Sequence, residues 1–118
     1  MEFYKACLGG DLNVQTVGES PYASPETKDN VIHSELKLGD FTLMASDMME
    51  AGVPESGNRY SLCLVCASKS EIQRLFASFG AGGQVIHPLK EEFFGTYGDL
   101  VDQYGIAWMF QLAPNAPD

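Results

Sequence analysis

Positive charge is scarce in this chain. Seven Lys and Arg stand against sixteen Asp and Glu, a formal net charge of −9 at pH 7. Such a surface repels phosphate backbones and anionic headgroups, so neither a nucleic-acid partner nor a membrane-surface role is expected. Long apolar runs are missing too: the strongest, residues 62–67, falls far short of the roughly 20 residues needed to cross a bilayer. The first ten residues lack the basic flank and apolar core of a signal peptide, which points to the cytoplasm. Cysteine is sparse and odd in number, with Cys7, Cys63 and Cys66 alone. That is no secreted disulfide framework, and all three are expected as free thiols. There is no Gly-x-Ser-x-Gly elbow, no phosphate-cradling loop and no His-Glu-x-x-His, so the chemistry is unannounced and no cofactor is expected. What is present is apolar material: 45% hydrophobic residues in 118, enough for one packed domain over residues 1–118.

Phe3, Tyr4, Cys7 and Leu8 recur at helical spacing before Gly9-Gly10. Alternation over 12–17 reads as a strand, and the Pro-, Ser- and charge-rich stretch 18–30 as a loop. Residues 31–38 and 40–46 form a hairpin pivoting at Gly39-Asp40, with Ile32, Leu36 and Leu38 on one face. Residues 47–58 connect two halves. The second half reads as a buried strand 59–66, then a helix capped by Ser70 with the stripe Ile72, Leu75, Phe76 and Phe79. Glycines at 80–83 close that helix, and a strand over 84–89 is ended by Pro88. A last hairpin over 96–102 and 106–112 turns at Gln103-Tyr104-Gly105. The order repeats. The fold expected is α+β, two βαβββ modules over about 1–50 and about 58–113, with the first strand of module 1 absent from the chain. An edge left without that strand needs protection.

Several strings then become familiar as a set: Glu2-Phe3-Tyr4-Lys5 leading to Gly9-Gly10, Leu36-Lys37-Leu38-Gly39-Asp40, and Leu43-Met44-Ala45-Ser46-Asp47. With them go Val31-Ile32-His33, Phe93-Phe94-Gly95-Thr96-Tyr97-Gly98 and Asp102-Gln103-Tyr104-Gly105-Ile106-Ala107-Trp108. Over nearly its whole length the chain resembles the PhnB-like branch of the glyoxalase, bleomycin-resistance and extradiol-dioxygenase superfamily, the vicinal oxygen chelate proteins. The resemblance implies paired βαβββ modules, homodimers, and two sheets curled around a small-molecule pocket. Members often carry a demethylubiquinone methyltransferase label. No strand here leads into a Gly-rich loop of the kind that binds a nucleotide-like cofactor, so that activity is not expected. Metal-using relatives supply His or Glu from the first and last strand of each module. At the matching positions this chain has Ser61, Met109, Met44 and Ser46, and thioethers are poor partners for hard divalent ions. No metal is expected at that site.

The remaining candidates divide between chemistry and plain structure. His33 and Glu35 share a strand face with Lys37, a polar face that either lines a pocket or meets solvent. Cys63 and Cys66 have C-x-x-C spacing, but on a strand they face opposite sides, and structural core cysteines are expected. His87, before Pro88, reads as structural or exposed. Phe93 and Phe94 suit a lid over an apolar ligand, a core cap or a dimer interface; Glu91 and Glu92 beside them, with Asp47, Glu50 and Glu55, read as solvated charge. Trp108 and Phe110 alternate with Met109, which is placed with Met44 in the wall of a common concave surface. The expected ligand-binding set is thus His33, Met44, Ser46, Ser61, Phe93, Phe94 and Met109. Binding of a small organic molecule is the favoured role, without an assignable reaction. The alternative is a metal-dependent lyase, isomerase or dioxygenase, and a homodimer closed by its own side chains is a third possibility.

Overall fold

The computed structural model describes residues 1–48 and 54–118, which fall into two compact units, Met1–Glu55 and Ser56–Asp118. The solvated-charge reading of Glu50 lies outside the described residues.

In the first unit, helix α1 (Glu2–Leu8) precedes strands β1 (Asp11–Thr16), β2 (Val31–Leu38) and β3 (Phe41–Ala45). They form an antiparallel sheet in the order β1-β2-β3. A short 3-10 turn, Val17–Glu19, starts the long loop, which the backbone of Gly18 ties to Lys28 at 2.8 Å. Alternation does the sorting: Leu36 and Ser34 of β2 are buried, as are Tyr4 and Cys7 of α1, while His33 and Lys37 are exposed. The buried Ser34 hydroxyl donates to the Ala45 carbonyl at 2.7 Å, so its burial leaves no orphan.

The second unit runs β4 (Leu62–Cys66), α2 (Lys69–Gly80), β5 (Gln84–Glu92), β6 (Gly95–Val101) and β7 (Ala107–Leu112). Its sheet order is β4-β7-β6-β5, with β4 parallel to β7 and the other pairs antiparallel. The α2 stripe Ile72, Leu75, Phe76 and Phe79 is buried, as read from the sequence. It meets Trp108, Phe110 and Leu112 of β7 and Leu100 of β6, all buried. Phe79 stands edge-on to both Trp108 and Phe110, with ring centroids 4.9 and 5.4 Å apart, and Phe76 does the same with Phe110 at 5.3 Å. Each such buried side chain stabilises the unit by about 1.5–3 kcal/mol.

Both Gly-Gly pairs mark the same construction. A Cβ on Gly10 would collide with the Lys37 carbonyl, and one on Gly83 with the Val101 carbonyl, each at the end of the middle hairpin strand. Glycine lets the chain leave its helix that close to the sheet.

Four local readings are corrected. The α2 cap is Ser68, not Ser70: its hydroxyl accepts from the Glu71 N–H at 3.1 Å, and Glu71 in turn accepts from the Ala67 N–H at 2.7 Å. The pattern Ser-x-x-Glu was there to be read. Strand β4 begins at Leu62, which leaves Ser61 just before it. Pro88 does not end β5, which continues to Glu92; β5 is an edge strand with irregular pairing, where a missing N–H costs nothing. Cys63 is exposed rather than core, because it points away from α2 while Cys66 points toward it.

Candidate functional site

Helix α2 covers one face of the second sheet and leaves the other to the alternate residues. Register puts Cys63 beside Met109, Met109 beside Asp99, and Asp99 beside His87, one row across all four strands. Val65 stands two residues along from Cys63 on the same face and is 78% exposed. The β4 and β7 half of this row, Cys63 and Met109, is soft and apolar, and the β6 and β5 half, Asp99 and His87, is polar.

At that end, Asp99 gathers three donors. The His87 backbone N–H and ring Nδ1 lie 3.0 and 2.8 Å from its Oδ1, and the Tyr97 hydroxyl donates to its Oδ2 at 2.8 Å. Partial burial alone would raise the Asp99 carboxyl. The hydrogen bonds from Tyr97 and His87 outweigh it and hold the group below the usual carboxylate range. Tyr97 is pushed up to about 12, by burial first and then by the hydrogen bond and negative charge of Asp99.

The first unit repeats the pattern in weaker form. Asn13 pairs with Glu35, and Glu35 with Met44, so a carboxylate again faces a methionine on the middle rung. Lys37 Nζ lies 3.2 Å from Glu35 Oε2, and His33 Nε2 is 3.6 Å from Glu35 Oε1. The Lys37 hydrogen bond leads in lowering the Glu35 carboxyl.

The sequence-derived candidates therefore divide. His33, Met44 and Ser46 belong to the first unit, the first two on the same sheet face and Ser46 exposed just past β3. Met109 belongs to the second unit, with Ser61 exposed ahead of β4. Phe93 and Phe94 form the two-residue turn between β5 and β6, with rings edge-on at 5.3 Å and Phe93 94% exposed. From the sequence His87 read as structural or exposed, and nothing brought Asp99 and Tyr97 to it. Only the pairing of β5 with β6 brings residues 12 apart into contact, and β5 is irregular on both sides of His87.

Two other features bear on function. A recess of about 150 Å³ opens on the α2 side, lined by Lys69, Ile72, Gln73, Leu89, Lys90, Glu91 and Thr96. It is smaller than the usual small-molecule pocket and contains none of the candidates. Among the described residues no three His, Cys, Asp or Glu side chains are grouped to hold a metal ion. Met44 in the first unit, and Ser61 and Met109 in the second, carry thioether and hydroxyl groups that are poor partners for a hard divalent ion.

Residues 1–112 match the model of the family described as 3-demethylubiquinone-9 3-methyltransferase. Protein PA1353 from Pseudomonas aeruginosa is 36% identical, with a TM-score of 0.84 over 95% of this chain and 85% of that one. A PhnB protein from Bacillus cereus is 24% identical, with a TM-score of 0.74 over 96% of this chain and 88% of that one. A glyoxalase/bleomycin resistance protein/dioxygenase family enzyme from Burkholderia phytofirmans shares the fold at 17% identity, with a TM-score of 0.57 over 95% of this chain and 86% of that one. No curated protein matches. The α+β fold with its two sheets is that of the glyoxalase and bleomycin-resistance proteins. The family match over residues 1–112 and the 36% identity to PA1353 show that the chain belongs to the PhnB-like family.

Proposed function

We propose that the chain binds a small organic molecule against the sheet face that α2 leaves bare, without a metal ion, as a cytoplasmic homodimer. The observation that supports this reading is the row Cys63, Met109, Asp99 and His87, an apolar half beside a hydrogen-bonded polar half. Small-molecule sites have this composition. Met109 forms the floor, Ser61 and the Phe93-Phe94 turn lie at the margins, and His33, Met44 and Ser46 give the first unit a related face. Methyl transfer is not supported. The β4-to-α2 passage runs through Ala67 and Ser68 and lacks the glycines a nucleotide-like cofactor needs.

The homodimer is supported by the edge of β3. Within the described residues β3 pairs with β2 alone, whereas β7 holds both β6 and β4. A second copy would satisfy that edge. Sedimentation at micromolar concentration should give a dimer, and a clean monomer would count against it.

Replacing Met109 by Trp should fill the face and abolish thermal stabilisation by any ligand found in a screen, with the fold intact. Unchanged affinity in that variant would refute the site. Elemental analysis of purified protein should find no stoichiometric zinc, nickel, manganese or iron; metal dependent on His33 would favour the superfamily's enzymes instead.

A further inference from the structure

Asp99 holds His87 in a defined state. With its carboxyl held below the usual range, Asp99 is ionised at neutral pH and can only accept hydrogen bonds. Nδ1 of His87, 2.8 Å from Oδ1, must therefore carry the proton. In the neutral ring the lone pair is then on Nε2, which has no partner among the described residues. The Tyr97 hydroxyl is spent on Oδ2, and the His87 backbone N–H also binds Oδ1, so neither carboxylate oxygen is without a donor. The imidazole is 71% exposed and lies in the same row as Met109.

We propose that His87 is the proton-accepting contact of this face, and that the face takes a neutral molecule with an apolar body and one hydroxyl or N–H donor aimed at Nε2. The inference rests on the reading of the face as a ligand site and adds the class of ligand. An anion would meet a lone pair, the ionised Asp99 and a chain of net charge −9. A cation would find the Asp99 carboxylate already supplied with three donors. An apolar body has Met109, Val65 and Cys63 to lie on. Two strand spacings separate Met109 from His87, roughly 10 Å, which suits a molecule of about two fused rings. Asp99 and Tyr97 are positioning residues: they hold the ring and need not touch the ligand.

Two measurements test this. Long-range 1H–15N NMR of the free protein at pH 7.5 should show His87 protonated on Nδ1, against the Nε2–H form that free histidine prefers. The Nε2–H form would overturn the proposal without bearing on the face. The second measurement is a titration with 2-naphthol and with 2-methoxynaphthalene, bodies of similar shape with and without a donor, followed at the Met109 and Val65 methyl signals. The naphthol should bind about tenfold more tightly. The preference should vanish in His87→Phe and return in part in His87→Gln, whose amide oxygen can accept, with melting temperatures confirming that both fold. Equal binding of the two probes to the wild-type face would overturn the role of His87 and leave the face standing. Failure of both probes to move those methyl signals would overturn the face and the proposal together.

Discussion

Asp99 and Glu35 hold the same place in the two units: each lies on the middle one of three antiparallel strands, directly opposite a methionine, Met109 for the one and Met44 for the other. The duplication has kept the rung and changed its outer partner, Asn13 beside Glu35 and His87 beside Asp99. That change sets the two faces apart. Glu35 is paired with a lysine, whereas Asp99 is tied to a histidine and a tyrosine.

The Asp99 cluster should give the second unit a stability window. Because the folded carboxyl is held below its usual value of 3.8, the stabilisation is full above that value and lost as pH falls through the folded one. On the alkaline side the Tyr97 phenol, raised from 10.0 to about 12, keeps its contribution below pH 10 and loses it as pH rises toward 12. The melting-temperature difference between wild type and Asp99→Asn should be constant near neutrality and shrink in acid. Ultraviolet titration should show a tyrosine step near 12 that is absent from Tyr97→Phe. A difference that persists unchanged at pH 2 would argue against the cluster.

Asp102 should matter more to stability than any surface charge. It is 3% exposed and accepts from the Tyr104 and Ile106 backbone N–H groups at 2.8 and 3.0 Å and from the Trp108 indole at 2.9 Å. Asp102→Ala strands those donors and should cost about 2–4 kcal/mol; Asp102→Asn, which keeps an acceptor, should cost less. Urea unfolding followed by fluorescence of the single Trp measures both.

Periodicity made most of this fold legible. The stripe of α2 and the alternation of Trp108, Met109 and Phe110 were readable because a face is a local property of the chain. The row Cys63, Met109, Asp99 and His87 was not, because it depends on which residue of β5 stands opposite Asp99. Two register irregularities around His87 break any count along the sequence. For a related reason the place of Phe93 and Phe94 as the turn of a longer hairpin was hidden, with Pro88 taken as the end of its strand.

Gly95 should tolerate no side chain. Its φ of +124° is one that other residues rarely adopt, and a Cβ there would run into the Leu112 carbonyl, where β6 pairs with β7. Gly95→Ala should destabilise the protein by about 2–4 kcal/mol through strain and a displaced strand end. Insertion at the neighbouring Phe93, which is almost wholly exposed, should cost far less. Thermal melts of the two variants compare them directly.

The two cysteines of β4 should differ sharply toward iodoacetamide. Cys63 is exposed on the bare face, while Cys66 is buried against α2. Burial, with the charges of Glu71 and Cys63, pushes the Cys66 thiol up to about 11, so little thiolate forms at pH 8. Cys7 is buried in the first unit. Mass spectrometry of briefly treated native protein should find one label, on Cys63, and three labels only after unfolding. Equal labelling of Cys63 and Cys66 would mean that the face assignment of β4 is wrong. Because Cys63 stands beside Met109 at one end of the row, an occupant of that face should also slow its labelling while leaving Cys7 and Cys66 protected as before. That result would tie the occupied face to the four-strand row rather than to the recess beside α2, where Cys63 has no part.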